Sequence, residues 1–193
     1  MTYQHPKTIS ATTNFRAFKH LLAQTSPLTH SQDIMKTMKK ILLLTLSVLI
    51  TFSVGALGSF FTTPSIPTWY SSLNKPFFSP PNWVFGPVWT LLYILMAVSL
   101  YLIWINQSPK SQKRKATLLF LIQLCLNALW SVIFFGMRSP EIALIEILLL
   151  EAAIIFTVLS FKKISKTAAK LLIPYALWVA FATALNLSIV VLN

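Results

Sequence analysis

Long stretches without an ionisable residue constrain this chain more than any other feature. Residues 41–74, 76–109, 116–137 and 171–193 carry no Asp, Glu, Lys, Arg or His, and 142–161 carries only Glu146 and Glu151. A helix needs about 20 apolar residues to cross the hydrocarbon core of a bilayer. The first interval must be trimmed, because Pro64, Pro67 and a run of hydroxyls occupy 62–74. The second must be trimmed too, because Pro76, Pro80, Pro81 and Asn82 read as a loop. Five helices are therefore expected near 41–61, 83–105, 116–136, 141–160 and 170–191. The fold class is an all-α membrane protein, a five-transmembrane-helix bundle.

Composition agrees. Of 193 residues, 55% are hydrophobic and 10% are charged, with a formal net charge of +12. Soluble domains carry about a quarter charged residues. A nucleic-acid binder of this charge needs a polar surface, and too little polar sequence remains to make one. No nucleic-acid partner is expected; the lipid bilayer is. The single cysteine, Cys125, allows neither an intrachain disulfide nor a cysteine-based zinc site.

The cations have addresses. Lys7, Arg16, Lys19, Lys36, Lys39 and Lys40 precede the first span, against Asp33 alone. Lys110, Lys113, Arg114 and Lys115 follow the second span, and Lys162, Lys163, Lys166 and Lys170 follow the fourth. The other side has only Lys75 and Arg138. Alternate loops are basic, so the positive-inside rule predicts a cytoplasmic N-terminus and an outside C-terminus across a plasma membrane.

Residues 1–34 differ from the rest. They are rich in Ser and Thr and hold all three histidines, His5, His20 and His30. A transit peptide is one reading. A start at Met35 or Met38 is the plainer one. The expected division is a disordered or mis-started extension over 1–37 and a five-helix domain over 38–193, with the early stretch disordered or weakly helical.

The stretch 69–89 is dense in aromatics and proline. It should fold back on the helix ends as a lid or plug; an interfacial aromatic belt is the alternative for Trp69, Trp83 and Trp104. Gly86-Pro87 should kink the second helix and free a carbonyl. Gln123, Asn127, Trp130 and Phe134 share one face of the third helix. Trp178, Ala182, Asn186, Ile189 and Asn193 share one face of the fifth, and Trp89, Tyr93 and Met96 one of the second. Two readings stay open: interhelical packing with amide hydrogen bonds, or a pocket for a flat, mostly apolar molecule stacked on indoles.

Ser139 as cap, Pro140 at the first position and Glu141 in the first turn open the fourth helix. Glu151 lies about 15 Å further along, near mid-bilayer, where an ionisable group is a functional candidate. Glu146 and Glu151 point about 140° apart, so they do not form one site. The spans have no histidine, no phosphate-binding glycine loop and no Ser-His-Asp set. No metal site is expected, nor is a conventional hydrolase or kinase.

The chain resembles the tryptophan-rich sensory and translocator (peripheral benzodiazepine receptor) proteins over about 41–193. The carrying motifs are Gly55-Ala56-Leu57-Gly58, the stretch from Trp69 to Trp89, and Thr90-Leu91-Leu92-Tyr93. They continue with the run from Gln123 to Ser131, Pro174-Tyr175-Ala176-Leu177-Trp178, Leu185-Asn186 and Leu192-Asn193. The resemblance implies a five-helix bundle, a possible homodimer, and a ligand cavity capped by the first loop. It implies porphyrin or a similar flat apolar ligand rather than a bound cofactor, and a bacterial plasma membrane. Trp69 and Tyr70 are then lid residues. Trp89, Tyr93, Asn127, Trp130, Trp178 and Ala182 line the cavity, and Glu146 matches the acidic position of the fourth helix. Trp89 and Trp178 are the matching pair if the protein degrades porphyrin in light. Transport of porphyrin or a lipid-like ligand is another implied activity. No basic residue follows Lys170, so the Tyr-then-basic cholesterol stretch of mammalian members is missing.

Overall fold

The computed structural model describes residues 27–193. Most of the expected N-terminal extension, residues 1–26, lies outside them. The chain divides into two units, Met1–Leu42 and Leu43–Asn193. The described part of the first unit is helical from Pro27 onward, and its residues 31–42 are exposed, with a Lys36–Asp33 ion pair at 3.4 Å.

The described residues form helices α1 (Pro27–Ser65), α2 (Asn82–Ile105), α3 (Lys110–Ser131), α4 (Pro140–Lys162), α5 (Lys166–Leu171) and α6 (Ile173–Leu192). Wider π-helical turns, Ile66–Tyr70 and Val132–Gly136, extend α1 and α3. With α5 and α6 taken as one rod, five rods are long and apolar enough to cross a membrane.

The first helix starts at Pro27 rather than near 41, and three further boundaries differ from expectation, each for a local reason. Residues 62–70 are helical rather than loop. Pro64 and Pro67 each remove a backbone donor, but hydroxyls bond back one turn: Thr62 to Gly58 O, Ser65 to Phe61 O and Thr68 to Pro64 O. Hydroxyls and π-type widening are what let a spanning helix tolerate proline. The third rod starts at Lys110, six residues early. There the basic first turn is water-side, and Lys113 Nζ donates to the carbonyls of Trp104, in the last turn of α2, and of Asn106 just after it. The fifth rod starts at Lys166 and breaks at Leu172, because Pro174 cannot donate to the preceding turn. Pro140 opens α4 as expected, but the Ser139 side chain makes no cap bond; its carbonyl accepts from Ala143 N–H. The α2 helix runs unbroken through Pro87.

The core lies between α2, α3, α4, α5 and α6. Met96, Leu100, Phe120, Leu124, Ile154 and Tyr175 are almost fully buried there. A smaller cluster joins Tyr70 to Phe134, Phe135, Ala143 and Ile189. The second π-turn makes it possible. In a regular helix, neighbours point about 100° apart, yet Ile133, Phe134 and Phe135 are all buried. Ser65 Oγ donates to Phe135 O at 3.1 Å and ties the two π-turns together.

Candidate functional site

The residues that give α1 a close approach also open a space beside it. A Cβ on Gly55 would sit 2.6 Å from Cε2 of Tyr93, and one on Gly58 would sit 3.1 Å from Ser131 Oγ. At these points α1 touches α2 and α3 with backbone rather than side chain. Beyond them lies a cavity of about 610 Å³ walled by α1, α2, α3 and α6. Ligand pockets commonly measure about 300–1,000 Å³. The cavity occupies the half of the bundle where α1 ends and α2 begins, away from the basic loops.

Its walls are aromatic, and the rings are held by neighbours. Trp89 stacks on Tyr93 (centroids 5.5 Å apart, 28°). Trp130 stacks on Phe134 (4.9 Å, 22°). Trp178 meets Phe85 edge-on at 5.9 Å. All six line the cavity.

The amides are engaged with protein. Tyr93 OH donates to Asn127 Oδ1 at 2.9 Å, and Asn127 Nδ2 donates to Tyr175 OH at 3.1 Å. That chain joins α2, α3 and α6 at the cavity wall, which Tyr93 and Asn127 line. Trp130 Nε1 donates to Asn186 Oδ1 at 3.1 Å, and Asn186 Nδ2 donates to Pro140 O at 2.8 Å. The amides thus pack the helices, and the packed helices hold indole rings around a space.

A family model, TspO/MBR family, matches residues 47–192. The chain belongs to the TspO/MBR family. It is 48% identical over 153 residues to Tryptophan-rich protein TspO of Archaeoglobus fulgidus, covering 79% of this chain and 98% of that protein. It is 43% identical over 119 residues to the human Translocator protein, covering 61% of this chain and 70% of that one. Tryptophan-rich sensory protein of Cereibacter sphaeroides is 34% identical over 125 residues, covering 65% and 77%. Family membership and the five apolar rods make this an integral, multi-pass membrane protein.

For this TspO/MBR-family chain, the expected site residues divide. Tyr70, Trp89, Tyr93, Asn127, Trp130, Trp178 and Ala182 all line the cavity. Trp69 does not: it sits on the π-turn with its ring edge-on to Phe134 and Phe135, at 5.5 and 6.5 Å. It buttresses the wall from behind, and Tyr70 belongs to the helical extension of α1 rather than to a loop. Glu146 does not line the cavity either. It is buried on α4, which contributes no lining residue, and neither carboxyl oxygen has a hydrogen-bond partner among the described residues. Glu151 Oε2 and both amide atoms of Gln123 are in the same condition.

The α1 wall was not anticipated. Gly55, Gly58, Thr62 and Ile66 line it at spacings of three, four and four. That stripe is visible in the sequence, but small residues at such spacing read equally well as a packing seam.

The loop between α1 and α2 is fastened to the last turn of α6. Asn74 N–H donates to Asn193 Oδ1 at 2.9 Å, Asn193 Nδ2 to Asn74 O at 3.1 Å, and Asn74 Nδ2 to Leu192 O at 3.2 Å. Phe78 packs on Phe181 of α6 at 6.3 Å.

Proposed function

We propose that this protein binds a flat, largely apolar tetrapyrrole of the porphyrin type inside the bilayer and serves in sensing or handling such molecules. The observation that carries this reading is the cavity of about 610 Å³ with the rings of Trp89, Trp130 and Trp178 in its walls. Aromatic faces stack on a planar π-system through dispersion and offset quadrupoles. The Asn127 and Asn186 amides are committed to neighbouring helices, so shape and stacking would govern the choice of ligand. The spans hold no histidine, so a porphyrin metal would gain no imidazole ligand there.

The test is a titration of protoporphyrin IX and of haem into purified protein, read by tryptophan quenching, with Trp89→Ala and Trp178→Ala as controls. Saturable binding of both, weakened in both variants, is expected. A strong preference for haem through an axial ligand, or no saturation, would sink the reading.

The charge pattern supports a cytoplasmic N-terminus and an outside C-terminus in a bacterial plasma membrane. Both basic loops lie at one end of the bundle: Asn106 Nδ2, after α2, donates to Ile164 O, after α4, at 3.3 Å. A cysteine placed at Ser111 that labels only after the cytoplasmic face is opened would agree. Labelling from outside intact cells would reverse the orientation.

A further inference from the structure

The cavity is not evenly enclosed. No lining residue on α3 or α6 is exposed. On α1, Phe52, Ala56, Ser59 and Thr63 both line the cavity and are exposed. On α2 the same holds for Asn82, Trp83, Gly86 and Thr90. The α1 set recurs every three or four residues, as do Trp83, Gly86 and Thr90 on α2 with Asn82 beside them, so each set forms one stripe along a helix. The two stripes border a gap between α1 and α2.

The gap closes at one end and is kept clear along its length. At the inner end Gly55 meets the Tyr93 ring, where even a Cβ would sit at 2.6 Å. From Gly55 to Thr63 the gap runs about 12 Å, at 1.5 Å per residue. Its rims are mostly small, with Ala56, Ser59 and Thr63 on α1 and Gly86 and Thr90 on α2; Phe52 and Trp83 are the large side chains among them. A Cβ on Gly86 would meet nothing within 4 Å.

The surroundings say what lies outside. Leu57 and Phe60 on α1, and Leu91 and Ile94 on α2, are exposed beside the gap. In a multi-pass membrane protein such side chains face acyl chains. Toward water, the connecting loop is fastened to α6 by the Asn74–Asn193 clasp and by Phe78 on Phe181.

We infer that the cavity is loaded sideways: the gap between α1 and α2 is a lateral window through which a bilayer-dissolved, flat apolar ligand enters and leaves. Gly86 and Ala56 are its sill, small because the passage runs over them. The loop clasp then closes the water-side end and is not the route.

The inference rests on the tetrapyrrole reading only for one probe. Protoporphyrin IX pre-dissolved in phosphatidylcholine vesicles is mixed with the protein in proteoliposomes, and association is followed by tryptophan quenching. Gly86→Leu and Ala56→Leu should each slow association about tenfold, whereas Asn193→Ala, which releases the clasp, should leave it within about twofold. Unchanged rates in both window variants, or faster association in Asn193→Ala alone, would overturn the window. A second probe needs no porphyrin. In a Cys125→Ser background, Ser131→Cys places a thiol inside the cavity. A pyrene maleimide dissolved in the bilayer should label it, and Gly86→Leu should block that labelling. If wild type fails to bind porphyrin but this labelling is blocked, the tetrapyrrole reading falls and the window stands. Labelling that is indifferent to Gly86→Leu removes the window.

Discussion

Gly55→Ala isolates the contact on which both the packing of α1 and the shape of the cavity depend. The new methyl would sit 2.6 Å from Cε2 of Tyr93 and 3.1 Å from Cζ. The ring has little freedom to retreat: it is 8% exposed, its hydroxyl is bonded to Asn127, and it stacks on Trp89. Overpacking of this kind costs about 1–3 kcal/mol. Replacing glycine by alanine within a helix returns about 1 kcal/mol. The net loss should therefore be about 0–2 kcal/mol. That range is too close to zero to be decisive alone, so the variant belongs in a double-mutant cycle with Tyr93→Ala. Without the ring, Gly55→Ala should stabilise by about 1 kcal/mol. The coupling should then be about 1–3 kcal/mol. Reversible unfolding in mixed detergent micelles with rising dodecyl sulfate measures all four corners. A coupling within about 0.5 kcal/mol of zero would refute the steric argument. Because Trp89 leans on Tyr93, the single variant should also weaken porphyrin binding.

Three further outcomes follow from the same geometry. Asn127→Leu leaves the buried hydroxyls of Tyr93 and Tyr175 without their partner and should destabilise by about 1–3 kcal/mol, against about 0.6 kcal/mol for Tyr93→Phe; equal effects in a micelle unfolding series would contradict the bridging role. Glu146→Leu removes a buried carboxyl with no protein partner among the described residues, so the thermal midpoint in detergent should rise, by about 1–3 kcal/mol in stability. A lower midpoint would reveal a partner for that carboxyl. Trp69→Phe should leave porphyrin affinity within about twofold, while Trp178→Phe should reduce it about tenfold, roughly 1.4 kcal/mol; the reverse order in a quenching titration would move the site away from the cavity described above.

Some of this arrangement was legible in the residues before any coordinates. The spans at 83–105 and 141–160 fall within two residues of α2 and α4, because charge and proline punctuate them sharply. The inward stripes on the second, third and fifth spans were also readable, since helical spacing alone places Trp89 with Tyr93, Asn127 with Trp130, and Trp178 with Ala182. The extension of α1 through Pro64 and Pro67 was not. Local propensity opposes helix there, and the hydroxyl bonds and the Ser65 contact to Phe135 that compensate depend on partners elsewhere. Glu146, assigned through the resemblance, lies outside the cavity lining; helical spacing says that a residue faces inward, not which inward space it faces.

The sequence by itself determined that the chain crosses a membrane five times, with its cations gathered in alternate loops, and which helix faces turn inward. Those are one-dimensional consequences of transfer free energy and helical period. Only the tertiary structure decided that the amides bond helix to helix while the indoles surround a cavity. It alone showed that Trp69 stands behind the wall, and that small residues on α1 and α2 border a gap toward lipid. Glycines and alanines carry no mark of whether a neighbour fills the space beside them; at Gly55 the Tyr93 ring does, and at Gly86 nothing does.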